Sequence, residues 1–370
     1  MFRHFKGKIC MTSTRGNIRK VLLTRVRLAF RALVLLAVAA LPLCIQANIN
    51  AQADADYGST VQTISADRTL SFAFDEVDKY PVISSIAFGP DGTELVTGGD
   101  DCQLYIWNTA TGQMVDHIGG QVDWVRGVVI SPDNATVASL DQDGQVCLWN
   151  TSDWKKKTTF VEKIKGAHAL AYSPDGSKLA VSGYDSYIAT FETATGKLLG
   201  KWKMPETGKV HPGTSNTTVC FSPDGSLLAA AGRAGMVRVW DADSMKVKFN
   251  LRISERRVHA VAFSGDGRLL ATAGEDSVIV VWDMQTGDPA VKFETSIGKT
   301  FSLCFCGKYL ASGDSLNTIR VWDLASSREA ARCFGHTGTV ATMVYKVEDN
   351  TLISAGFDTT VRFWPLNDIQ

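Results

Sequence analysis

The sequence predicts an all-β fold of seven four-stranded antiparallel sheets stacked in a ring, and three observations predict it. The first is a period. Large aromatics recur at Trp107, Trp149, Phe191, Trp240, Trp282, Trp322 and Trp364, separated by 42, 42, 49, 42, 40 and 42 residues. A repeat of roughly 40–45 residues is that of a propeller blade, one sheet per repeat. The second is composition: 32 Gly against 10 Pro, with 21% charged residues, suits many short strands joined by turns. The third is the local pattern, in which each repeat breaks into strand-length runs between turn residues. One such sheet cannot bury its own faces, so neighbours must stack on it and the array must close.

The stretch 257–296 shows the elements of one blade in order. Val258–Ser264 alternates towards the Gly265-Asp266-Gly267 turn, the first strand of a hairpin. Leu269–Gly274 is the second strand, and Asp276 and Ser277 make the next turn. Val278–Trp282 is the third strand and is apolar throughout, which requires cover on both of its faces. Ala290–Thr295 is the outer strand, and its Lys292 and Glu294 border water. The same template fits the other repeats, with first turns at Pro90-Asp91-Gly92, Pro132-Asp133-Asn134, Pro174-Asp175-Gly176 and Pro223-Asp224-Gly225. Six residues before the aromatic stands Asp101, Asp143, Asp185, Asp276 or Asp358, a carboxylate able to accept backbone N–H bonds and pin the second turn. Ala234 and Leu316 break that rule, so the fourth and sixth blades are expected to be less tightly tied.

The zero net charge conceals an asymmetry. Residues 1–53 hold nine Lys or Arg and no acid, whereas the remainder holds 29 basic against 38 acidic residues, a net charge of −9. The basic stretch leads into an apolar run, Ala32–Ile45, and then Ala51-Gln52-Ala53. This order reads as a secretory signal, with the translation start at Met1 or Met11. An uncleaved membrane anchor and an organellar transit peptide are the alternatives. Residues 1–53 are therefore expected to be a signal peptide or signal anchor that exports the chain, 54–66 a flexible tether, and 67–370 the propeller.

The residues of the repeats resemble the WD-repeat β-propeller family. Trp-Asp occurs at Trp240-Asp241, Trp282-Asp283 and Trp322-Asp323, with Trp-Asn at Trp107-Asn108 and Trp149-Asn150. The last repeat matches best, having Gly335-His336, Ser354, Asp358 and Trp364. The resemblance implies that His336, Ser354, Asp358 and Trp364 form a structural hydrogen-bonded network, and that the ring is a protein-interaction scaffold. Other repeats lack the Gly-His pair, so the network is expected to be incomplete there.

Closure is expected at the chain ends. Only six residues follow Trp364, too few for an outer strand, while Thr69–Phe74 alternates ahead of the first full blade. That N-terminal strand is predicted to complete the C-terminal blade, because an unpaired edge exposes a row of free donors and acceptors.

Strand directions bring the loops entering each first strand, and the turns between second and third strands, to one face. On it, seven residues before each aromatic, stand Asp100, Gln142, Tyr184, Arg233, Glu275, Ser315 and Phe357. Tyr184 and Phe357 are aromatics on turn tips, Trp124 heads the first strand of the second blade, and Arg256 and Arg257 occupy the matching loop of the fifth. Aromatics and Arg anchor interfaces. Trp124, Tyr184, Arg233, Arg256, Arg257 and Phe357 are thus the candidate protein-binding residues. The insertion 204–214, with His211, is a candidate binding loop weighed against tolerated drift.

Other chemistry finds little support. No Cys pair has C-x-x-C spacing and no His pair has metal-ligand spacing. Cys220 and Cys304 stand where other repeats place Ala, as buried small hydrophobes. Lys155-Lys156-Lys157 guards an outer strand, and the acidic balance after residue 53 argues against nucleic acid as a partner. Asn134, Asn150 and Asn216 head glycosylation sequons, meaningful only in a cell that glycosylates them. No phosphate loop, haem attachment or nucleophile elbow is present. The expectation is a non-catalytic, monomeric ring that needs no cofactor or metal and binds a protein or peptide on its loop-rich top face. Any membrane contact runs through an uncleaved N-terminal segment. The alternative is an enzyme or small-ligand binder that uses the central channel.

Overall fold

The computed structural model describes residues 61–71, 81–89, 92–161, 164, 166–184, 187–203, 216–232, 235–295, 298–367 and 369. The leader, the insertion 204–214, and the candidates Arg233, Asp185 and Ala234 lie outside these residues.

Seven sheets form the blades, each laid down from its innermost strand outward in chain order except for two N-terminal strands at the outer edges of the sixth and seventh. The fifth blade has strands Val258–Phe263, Leu269–Gly274, Val278–Asp283 and Pro289–Glu294, within a residue of the elements expected from its pattern. All seven repeat aromatics lie on third strands. Each innermost strand lies against the next around the ring, and the last, Val340–Lys346, lies against the first, Ile83–Phe88. The array is a closed seven-bladed propeller.

Burial follows the same logic. One apolar cluster fills each gap between successive blades. The gap between the third and fourth blades, for example, holds Ala180, Ile188 and Trp202 against Val219, Leu228, Ala230 and Trp240. The gap between the seventh and first holds Ile353, Val361 and Phe363 against Ile83, Leu95 and Trp107. Every one of these clusters contains the repeat aromatic of its second blade. The large flat ring is therefore the seal of each interface, which explains why its spacing is the chain's strongest signal.

Two N-terminal strands make the seam. Arg68–Ser71 (β2) pairs antiparallel with Thr360–Pro365, Leu70 opposite Val361, and supplies the outer strand of the seventh blade. This is the closure expected from the alternating Thr69–Phe74 stretch. A second strand was not foreseen. Gln62–Ile64 (β1) pairs parallel with Arg328–Cys333, the outer strand of the sixth blade, and makes that sheet five-stranded. It lies within 54–66, the stretch expected to be a tether. Ile64 is buried among Ile319, Ala331 and Cys333, an apolar contact that holds so short a strand in place.

The first hairpin turns share one conformation. Gly92, Asn134, Gly176, Gly225 and Gly267 all have φ between 59° and 74°, the left-handed region that glycine and asparagine enter at least cost. The Asp of each described turn is tied to a Ser two residues before it, as Ser173 Oγ donates to Asp175 Oδ1 at 2.5 Å. The hydroxyls of Ser173 and Ser177 hold the Asp175 carboxyl down at about 2. The six cysteines from Cys102 to Cys333 are free thiols.

Candidate functional site

The structural network of the last blade is built from buried polar groups that satisfy one another. His336 Nδ1 lies 2.8 Å from Asp358 Oδ2, and His336 Nε2 lies 2.7 Å from Ser354 Oγ. Trp364 Nε1 donates to the same Ser354 Oγ at 2.8 Å, and the Thr337 N–H donates to Asp358 at 2.9 Å. Burial would raise the Asp358 carboxyl. The hydrogen bonds from His336 and Thr337 outweigh it and hold the group far below the usual carboxylate range.

Half of this network recurs where no His is present. The hydroxyl ten residues before the Trp accepts its indole N–H at Thr97, Ser139, Thr272 and Ser312, at 2.8–3.0 Å. The second blade completes the scheme with other residues: Gln121 Nε2 donates to Ser139 Oγ, and Asp141 accepts the N–H of Val122 and of Gln145. The carboxylate that pins this turn is thus Asp141, the buried end of the second strand, whereas Asp143 is exposed. Asp314 takes the equivalent place in the sixth blade and accepts the N–H groups of Leu316 and Thr318 at 2.8 and 3.0 Å. The sixth blade is therefore tied after all, by an Asp two residues earlier than the pattern expected. Asp101 accepts the Gln103 N–H and the Tyr105 hydroxyl, and Asp276 is half-buried in its turn.

The top-face candidates divide. Trp124, Tyr184 and Phe357 are 46, 46 and 49% exposed, and Leu316, at 50%, joins them. The Arg126 guanidinium lies 5.1 Å from the centre of the Trp124 ring, and the Tyr184 ring lies 6.4 Å from that of His168. Arg256 reaches the carbonyl of Glu275 at 3.4 Å, and the Arg257 carbonyl accepts the Glu275 N–H. Phe357 is anchored by its N–H to the Thr339 carbonyl at 3.0 Å.

A second set of residues escaped the sequence reading. Six innermost strands carry an irregularity at their second residue: Ser84, Arg126, Thr217, His259, Phe301 and Ala341. His168 has the corresponding position in the third blade, 23 residues before Phe191, as Arg126 stands 23 before Trp149. A bulge re-aims the side chain at its position, and Ser84, Arg126, His259, Phe301 and Ala341 stand at the entry end of their innermost strands. The His259 and Phe301 rings stack at 4.6 Å, and Glu275 lies 3.4 Å from His259 and 3.1 Å from Lys299. An offset of 23 residues from the aromatic, kept in every blade but the sixth, where it is 21, was the signal that could have found these positions.

With the fold and its networks described, the chain can be assigned to a class: it is a WD-type propeller. The family described as WD domain, G-beta repeat matches residues 77–108, 112–150, 206–241, 247–283, 296–323 and 328–365, and the chain belongs to it. The third blade goes unmatched, and there Phe191-Glu192 replaces the Trp-Asp pair. The chain is 42% identical over 71 residues to Mitochondrial division protein 1 of Mycosarcoma maydis, 19% of this chain and 8% of that one. It is 26% identical over 150 residues to Apoptotic protease-activating factor 1 of Danio rerio, 40% and 12% of the two chains. To Transducin beta-like protein 3 of Bos taurus it is 25% identical over 183 residues, 50% and 17% of the two. The chain spans less than a fifth of the length of these relatives.

Proposed function

We propose that the ring is a non-catalytic scaffold that binds a protein or peptide across its loop-rich top face. One observation carries this reading: Trp124, Tyr184 and Phe357 hold aromatic rings half in solvent on loops of that face. Their own fold gains little from that exposure, while a partner would gain a rigid apolar anchor from each. A partner of standard size would bury about 800 Å² on each side, an area a propeller face can offer. Membership of the WD family supports the same role.

The test is capture with the ring from cell-envelope material, comparing the parent with the triple variant Trp124→Ala, Tyr184→Ala and Phe357→Ala. Loss of the captured partner with an unchanged melting temperature supports the reading, and an undiminished partner overturns it. The alternative is a small ligand or substrate in the channel, which draws on the polar side chains at its mouth. The leader is read as directing export, and N-terminal sequencing of the native protein checks that.

A further inference from the structure

We infer that the channel mouth is an anion subsite, in which Arg126 and His168 receive carboxylate side chains of an acidic partner segment lying across the aromatic loops. This rests on the top-face reading and adds the chemistry of the partner to it.

After residue 53 the chain carries a net −9, yet Arg126 and His168 stand at the same offset from their aromatics on adjacent blades. Arg126 Nε and Nη2 both donate to the neutral oxygen Gln142 Oε1, and no carboxylate pairs with this guanidinium among the described residues. Nor does one pair with Arg257 among those residues. The Ala167 N–H, beside His168, donates to the Gln142 carbonyl at 3.1 Å, so His168 stands on the blade next to Arg126 and close to the residue that holds the Arg126 guanidinium.

The acids of this face are differently used. Asp100 accepts the Val82 N–H, Asp141 those of Val122 and Gln145, and Asp358 that of Thr337 and the His336 ring. Glu275 is spent on His259 and Lys299. These four carboxylates are engaged by the fold, whereas the Arg126 guanidinium is left with a neutral partner. An incoming carboxylate would find a bidentate donor in Arg126 and apolar walls in Trp124 and Tyr184. Burial and the positive neighbours push the His168 imidazole down to about 4, so it is neutral at pH 7 and offers one N–H donor. A bound carboxylate would raise that value, and association should then take up protons below pH 6.

The experiment measures fluorescence anisotropy of a labelled octapeptide of alternating Glu and Gly against its Gln-Gly counterpart, with the full ring. The parent is expected to bind the Glu peptide at least tenfold more tightly, with affinity falling as NaCl is raised. Arg126→Gln and His168→Phe should each erase most of that preference, and Arg126→Lys should keep part of it, with circular dichroism confirming folding. Equal affinity for the two peptides, or folded variants that bind as the parent does, overturns the inference. Partner capture separates the two readings. A partner lost by the aromatic triple variant but kept by Arg126→Gln/His168→Phe leaves the top face standing and removes the anion subsite. A partner kept by the aromatic variant removes the top face itself.

Discussion

His336 and Asp358 meet at 2.8 Å with side chains only 1 and 2% exposed, the most enclosed ion-pairing geometry in the ring's described residues. The bond is one link in a line. Trp364 donates to Ser354 Oγ, which lies 2.7 Å from His336 Nε2, and His336 Nδ1 in turn meets Asp358. The line joins the second and third strands of the seventh blade, and the turn between them, to the loop that enters the blade.

Removing the middle of that line should be costly. His336→Ala strands a buried carboxylate and a buried hydroxyl at once, and is expected to lower stability by about 3 kcal/mol. Urea unfolding of the ring checks this; a loss below about 1 kcal/mol would mean the network is decorative.

The two buried turn carboxylates should respond to pH in opposite senses. Asp358 has its pKa lowered on folding, so its contribution is complete above the unfolded value of about 3.9, declines below it, and is lost only as pH falls to the much lower folded value. Asp314 has its pKa raised, chiefly by burial, so folding binds its proton more tightly and its contribution declines as pH rises above about 3.9. Asp358→Asn is expected to cost about 2 kcal/mol at pH 7 and less at pH 3.5. Asp314→Asn keeps an oxygen for the Leu316 and Thr318 N–H groups, and should stay within about 0.5 kcal/mol of the parent at pH 7. Unfolding midpoints of both variants at the two pH values decide the matter.

The fourth blade lacks the hydroxyl that its Trp could use. Ala230 stands ten residues before Trp240, where the first, second, fifth, sixth and seventh blades have Ser or Thr. Ala230 is fully buried, a place where a serine would ordinarily destabilise. Ala230→Ser is expected instead to be neutral or to stabilise by about 0.5–1 kcal/mol, through a bond from Trp240 Nε1. Thermal melts against an Ala229→Ser control, also buried but without an indole to serve, measure it.

The seam should be the weak point of the ring. Leu70 is 3% exposed and packs with Ile83, Ile353 and Phe363. Leu70→Ala is expected to cost roughly 2–4 kcal/mol by leaving a cavity there. Removing residues 61–71 should give a protein that aggregates or melts early, because it bares the edges of two adjacent blades. A truncated ring as stable as the parent would refute the closure.

Blade number, strand order and seam were legible because each is written in residue type. A large ring must seal every interface, and an alternating strand with no partner must find one. Subtler parts were not. Asp141 and Asp314 do their work from two residues upstream of the expected position, because strand end and turn tip can both reach the same N–H groups. The third blade conceals itself through a matched exchange: Val181 replaces the hydroxyl and Phe191 the indole, so no donor is orphaned, and Trp202 bonds Thr190 instead. The bulges at Arg126 and His259 carry no residue signature, since a bulge is a backbone irregularity that accepts Arg, His, Phe or Ala. The strand Gln62–Ile64 is three residues long, too short for any periodicity to show.

That short parallel strand and its neighbour impose an order on assembly. The ribosome makes them ahead of every blade, yet their partners, Arg328–Cys333 and Thr360–Pro365, belong to the sixth and seventh blades. Until then the growing arc has nothing to lock against. A nascent chain that stops before Thr360 leaves its first strands idle, so the circle can close only after all seven blades have been made.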